Sequence, residues 1–177
     1  MSEELKQHIL KNGLILGLVY VCISILKYIG GVEYFFNNYI GAFTILIAII
    51  IPIYCTIKFR TNNDGYIDFK SAFTSCTAIL LAAGFIDLVF QMGLLNIIDP
   101  QFSVELLDAT IDKTVLVYES IKTEEEISEL IELIEEKSIY SPKNMLIGYG
   151  ILTVGYTVFG LLVAAFTKNE KPEFSEE

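Results

Sequence analysis

Histidine and cysteine are scarce in this sequence. Among 177 residues there is one histidine, His8, and there are three cysteines, Cys22, Cys55 and Cys76. The cysteines all fall in apolar stretches without metal-ligand spacing, so they read as small core residues. No Ser/His/Asp set, phosphate loop or metal motif is present. The expectation is therefore a protein with no catalytic residues, no metal and no cofactor. Basic charge is also short. Twelve Lys and Arg face 22 Asp and Glu, a formal net charge of −10. That balance excludes nucleic acid as a partner, because phosphate neutralisation needs a basic face. Repeats of solenoid length are missing, and the two halves show no inverted repeat of the transporter kind.

What the chain does have is apolar residues. The set AVILMFWYC makes up 53% of it and the mean hydropathy is +0.54. Disorder, whose mark is low hydrophobicity, is excluded. The acid and the grease are segregated. Asp99 to Lys143 holds twelve acids against four bases, a balance of −8. The rest is dominated by four apolar runs: Gly13–Gly31, Tyr39–Phe59, Ala72–Ile98 and Met145–Thr167. A helix needs about 20 apolar residues to cross a hydrocarbon core of about 30 Å. The runs meet that length and predict four spans, at about residues 10–31, 39–59, 70–98 and 143–167. The first run is too long, and Lys27-Tyr28-Ile29-Gly30 too poor a cleavage site, for a removable signal peptide. It reads as a retained anchor. No lipidation motif is present.

Lys and Arg near the span ends set the orientation. Lys6, Lys11, Lys58, Arg60, Lys70, Lys168 and Lys171 fall on one side. The short loop Val32–Asn38 has no base, and acids swamp the bases of the long loop. Both termini are expected in the cytoplasm, with the acidic segment facing out.

Local signals set the helix ends. Ser2 ahead of Glu3 and Glu4 is an N-cap with acids in the first turn, and Gly30-Gly31 ends that helix. Pro52 should kink the second span, or be tolerated through its neighbours. Asn62-Asn63-Asp64-Gly65 is a turn, followed by interfacial Tyr66, Phe69 and Phe73. Asp99-Pro100 stops the third span and starts another helix. There Val104, Leu107, Ile111, Val115 and Tyr118 recur at helical spacing. Thr123-Glu124-Glu125-Glu126 is a capping box, opening a helix with Ile127, Leu130, Ile131 and Ile134 on one face. Ser141-Pro142 caps the fourth span. Residues 99–142 therefore read as an acidic amphipathic hairpin, and 169–177 as a frayed end. The fold class is all-α, an integral membrane four-helix bundle with an extramembrane helical hairpin between spans three and four.

Three features could carry function. The first is Asp87, well inside the third span, where an acid costs about 2.5–3.5 kcal/mol and must face protein or water. Lys27 lies about 21 Å and Asp87 about 22 Å past the starts of their runs, at 1.5 Å per residue. That match predicts an intramembrane polar cluster of Lys27, Asp87, Gln91 and Tyr149. It could be a proton or ion relay, or an ion pair fixing helix register, unless Lys27 snorkels to the surface. The second is small-residue spacing, Gly13/Gly17 and Gly160/Ala164, for close helix approach within the chain or in a homo-oligomer. The third is the hairpin, a solvated charge face or a docking surface for a protein partner. It has no EF-hand spacing.

Several of these segments together resemble a known family. They are Gly13-Leu14-Ile15-Leu16-Gly17, then Asp64-Gly65-Tyr66-Ile67-Asp68-Phe69-Lys70-Ser71-Ala72-Phe73, then the acidic loop ending in Ser141-Pro142, and Gly160-Leu161-Leu162-Val163-Ala164-Ala165-Phe166-Thr167-Lys168. The chain resembles a bacterial membrane family, largely of Bacteroidota, known as domain of unknown function 4199. Asp68 stands where the family carries Ser or Thr, and it can still cap the helix. The resemblance implies an inner-membrane location and supplies no activity. The leading expectation is a non-enzymatic accessory or scaffold protein in the lipid bilayer, docking through the hairpin. The rival is a small transporter or channel-like protein using Lys27 and Asp87.

Overall fold

The computed structural model describes residues 1–170, and of residues 136 and 137 it describes only the backbone. Seven α-helices follow one another: α1 (Glu3–Ile29), α2 (Val32–Phe35), α3 (Asn38–Asn62), α4 (Phe69–Gly93), α5 (Pro100–Tyr118), α6 (Glu124–Lys137) and α7 (Pro142–Thr167). A π-helical turn, Leu94–Ile98, extends α4. α1, α3, extended α4 and α7 are long and apolar enough to cross a membrane. The Ser2 hydroxyl accepts from Leu5 N at 3.2 Å, so α1 begins well before its apolar run. α3 continues through Pro52, whose side chain is buried.

α4 is the hub, packed most extensively against α1 and α7 and less against α3. Ala72, Cys76, Ile79, Leu80 and Ala83 line its buried face, with Leu16 from α1 and Val163 from α7. The small residues allow this close approach. A Cβ built on Gly13 would stand 2.8 Å from Ala82 Cβ, and one on Gly17 would stand 2.9 Å from Ile86 Cβ. A Cβ on Gly160 would collide with the Thr77 hydroxyl. Both small-residue pairs are thus used inside the chain. α3 and α7 barely touch each other.

At the end of the bundle where α1 begins and α7 ends, Asp68 caps α4 by accepting from Ser71 N at 2.7 Å. The Asn63–Gly65 turn holds Asp64 and Gly65 at positive φ, 54° and 83°. Asn169 is not frayed. It exchanges two backbone hydrogen bonds with Ile67, at 2.8 and 2.9 Å, and its amide donates to Gly65 O at 2.8 Å. These bonds pair the backbone of Asn169 just past α7, and Arg60 Nη1 donates to the last carbonyl of the helix, Thr167 O, at 3.1 Å. The rest of that expected frayed segment, 171–177, and with it Lys171, lies outside the described residues.

At the opposite end, α5 and α6 form the hairpin. Asp99 caps α5 through Phe102 N at 3.1 Å, and its other oxygen accepts from Tyr28 OH at 2.9 Å. The capping box of α6 is formed: Thr123 N donates to Glu126 Oε2 at 3.0 Å and Glu126 N to Thr123 Oγ1 at 3.4 Å. Ile127, Leu130, Ile131 and Ile134 share the more buried face of α6. In α5 the deepest side chains are Phe102 and Leu106, which sit with Leu94, Leu95, Phe35 and Tyr28, whereas Val104 and Tyr118 are exposed. The face is rotated from the expected one because the bundle end, including α2 in the short loop, supplies an apolar partner that α5 periodicity does not register.

Candidate functional site

The gap between α3 and α7 is a cavity of about 580 Å³ with α4 as its floor. Thr44, Ile45, Ala48 and Ile49 form one wall; Gly148, Tyr149, Leu152, Tyr156 and Phe159 form the other. Asp87, Gln91 and Tyr20 reach it from behind. At the hairpin end its rim is Ile139, Tyr140 and Asn144. That rim is tied down: Asn96 donates to Tyr140 O at 3.2 Å, and the Tyr140 hydroxyl shares a hydrogen bond with Thr110 Oγ1 at 3.2 Å. Burial pushes the Tyr140 phenol above its ordinary pKa.

Asp87 is bonded on both oxygens. Ser24 donates to Oδ1 at 2.7 Å and Gln91 to Oδ2 at 2.6 Å. Gln91 stands one turn after Asp87, the i,i+4 spacing that brings helix side chains together. Both donors are neutral. Lys27 and Asp87 form no ion pair; among the described residues the ion pairs are Lys6–Glu3 and Lys122–Glu126. The Lys27 amine instead lies 5.6 Å from the centre of the Phe35 ring of α2. Tyr149 lines the cavity, but its hydroxyl donates to Leu81 O at 2.7 Å rather than to Asp87. Of the four expected cluster members, Asp87 and Gln91 are joined, Tyr149 is adjacent, and Lys27 is elsewhere.

The expected depth match measured each helix from the start of its apolar run. Those starts are not level. Gly13 packs on Ala82, well past Ala72 where the α4 run begins. Ser24, three residues before Lys27, is therefore the α1 side chain that meets Asp87.

Ser24 and Tyr20 were not expected. Both lie on the α1 stripe that continues Gly13 and Gly17 at helical spacing, toward α4. Extending the glycine stripe by three and four residues finds them. Tyr20 is only 6% exposed, lines the cavity, and its hydroxyl has no hydrogen-bond partner. The rings of Tyr149 and Tyr156 lie over Gly84, at 3.2 and 3.3 Å from where its Cβ would be. A larger residue there would push both rings into the cavity. Among the described residues, no Lys, Arg or His lines the space. Among the described residues, no group of three His, Cys, Asp or Glu side chains is placed to hold a metal ion.

Four long apolar helices with a two-helix hairpin at one end define a multi-pass α-helical membrane protein. The chain belongs to the family described as protein of unknown function (DUF4199), whose profile matches residues 11–169. No curated protein and no solved structure matches it. The family description carries no activity, so function has to be argued from the site.

Proposed function

We propose that the protein is a small non-enzymatic carrier that admits a solute to the cavity at Asp87. One observation supports this reading above the others: a carboxyl group deep in a membrane span lines an open cavity and, among the described residues, is served only by neutral donors. A structural ion pair would be closed by a base, and the nearby base is turned away. Ionisable groups inside membrane spans mark solute and proton pathways. The family resemblance implies a bacterial inner-membrane location, and the Lys/Arg distribution supports both termini in the cytoplasm with the cavity rim facing out.

Cysteine labelling tests this. In a Cys22→Ala background, Gly148→Cys near the rim and Leu152→Cys deeper on α7 should react with a membrane-impermeant cationic methanethiosulfonate added on the hairpin side. Gly148 has open space beside it. Leu162→Cys, on an exposed part of α7 away from the cavity, is the control. Labelling of none of the three, or of all equally, contradicts the proposal.

A second reading keeps the hairpin as an accessory docking surface. It is supported by apolar side chains at the hairpin tip: Leu116 is 72% and Ile121 76% exposed. Removal of both, as Leu116→Ser with Ile121→Ser, should release a hairpin-bound protein captured by crosslinking in intact cells. Retention of that protein contradicts docking.

A further inference from the structure

We infer that the cavity at Asp87 binds a lipophilic monocation: one positive centre, ammonium or phosphonium in type, on an apolar body. The inference rests on the carrier reading and names the chemistry of its ligand.

Charge comes first. The cavity floor holds an acid and, among the described residues, the lining holds no Lys, Arg or His. Ser24 and Gln91 each contact one oxygen of Asp87, which leaves lone pairs for a further partner. A cation placed there would supply the one interaction that two neutral donors do not. An anion would find no base to pair with among the described lining residues.

Shape and polarity come next. A space of about 580 Å³ is in the range of sites for small organic molecules. Beyond Asp87 and Gln91 its walls are largely apolar, with Ile45, Ile49, Leu152 and Phe159 among them. A bare metal ion would leave most of that surface unmatched, whereas an apolar body would cover it. Tyr149 and Tyr156, whose rings lie over Gly84 one turn before the acid, also line the cavity, and aromatic rings attract cations. The Tyr20 hydroxyl is a separate observation. A buried phenol with no partner is a cost unless a ligand or solvent answers it. Its oxygen can accept from an N–H donor of an ammonium, or turn toward a positive centre. Because α3 and α7 barely touch, a molecule dissolved in the bilayer can enter between them.

The test uses the full chain in nanodiscs of phosphatidylcholine, with radiolabelled tetraphenylphosphonium as probe. Tetraphenylborate has the same shape and opposite charge. Saturable binding of the phosphonium and none of the borate is the expected result. Asp87→Asn should weaken phosphonium binding by about tenfold or more, the size of one lost charge pairing. Leu152→Trp, which fills the cavity from its wall and leaves Asp87 intact, should do the same, so the test survives if Asp87→Asn fails to fold. Equal binding of both ions overturns the inference, as does phosphonium binding indifferent to both variants. Cysteine labelling at Leu152 without phosphonium binding overturns the cation and leaves the carrier reading standing. Loss of labelling and binding together removes both.

Discussion

The Ser24 hydroxyl donates to Asp87 at 2.7 Å across the α1–α4 contact, and Lys27, three residues on, points to Phe35 instead. The acid is thus tied to the bundle by a neutral neighbour and, among the described residues, has no base within ion-pair distance. That relationship separates a structural ion pair from a site with unused charge.

Its energetic signature is measurable. Ser24→Ala should cost about 1 kcal/mol, a hydrogen bond lost between membrane helices. Lys27→Met should stay within about 0.5 kcal/mol, since it gives up only a ring contact. A double-mutant cycle of Lys27→Met with Asp87→Asn should show coupling below about 0.5 kcal/mol. Unfolding by steric trapping reads all three. Coupling well above that figure would restore the ion pair.

The glycine contacts make a second prediction. Gly17→Val forces a side chain into Ile86 and should destabilise by about 1–3 kcal/mol, the usual cost of overpacking. Gly155→Ala, with nothing near its Cβ position, should be neutral or slightly stabilising through helix propensity. Equal losses from both, read by thermal unfolding in detergent, would contradict the α1–α4 packing.

The caps carry a pH dependence. The backbone N–H of Ser71 holds Asp68 below its ordinary 3.8, and that of Thr123 holds Glu126 below its ordinary 4.5. A depressed carboxyl contributes stability that is complete above the unfolded pKa and lost as pH falls through the folded one. Amide protection at the starts of α4 and α6 should therefore hold from neutral pH to about 5 and decline below about 4. Hydrogen exchange read by mass spectrometry checks it. Protection that rises on acidification would oppose the capping geometry.

Much of this architecture was legible because it is local. Ser2, Asp99 and Thr123 cap where their sequence context says they should, since a cap is satisfied within three residues; Ser141, also expected to cap, precedes α7 without a side-chain cap bond, and its hydroxyl accepts from Asn144 Nδ2 at 3.1 Å instead. The four apolar runs declare themselves by length. The site was legible in part: Asp87 and Gln91 share a helix, and i,i+4 geometry joins them. The helix-to-helix register was not. It depends on which glycine meets which side chain, and run starts are a poor ruler when α1 begins at Glu3. Phe102 and Leu106 were missed for the same reason, as their partners come from three other elements. The Ile67–Asn169 pairing joins backbone groups a hundred residues apart, and no periodicity marks it.

One measurement bears most directly on the cavity at Asp87. The chain in bilayers is treated from the hairpin side with a water-soluble carbodiimide and glycine ethyl ester, and modified carboxyls are located by mass spectrometry. The expected result is conversion of Asp87 together with exposed hairpin acids such as Glu124 and Glu125. Modified hairpin acids with an intact Asp87, in protein shown to be folded, would contradict a solute-accessible site.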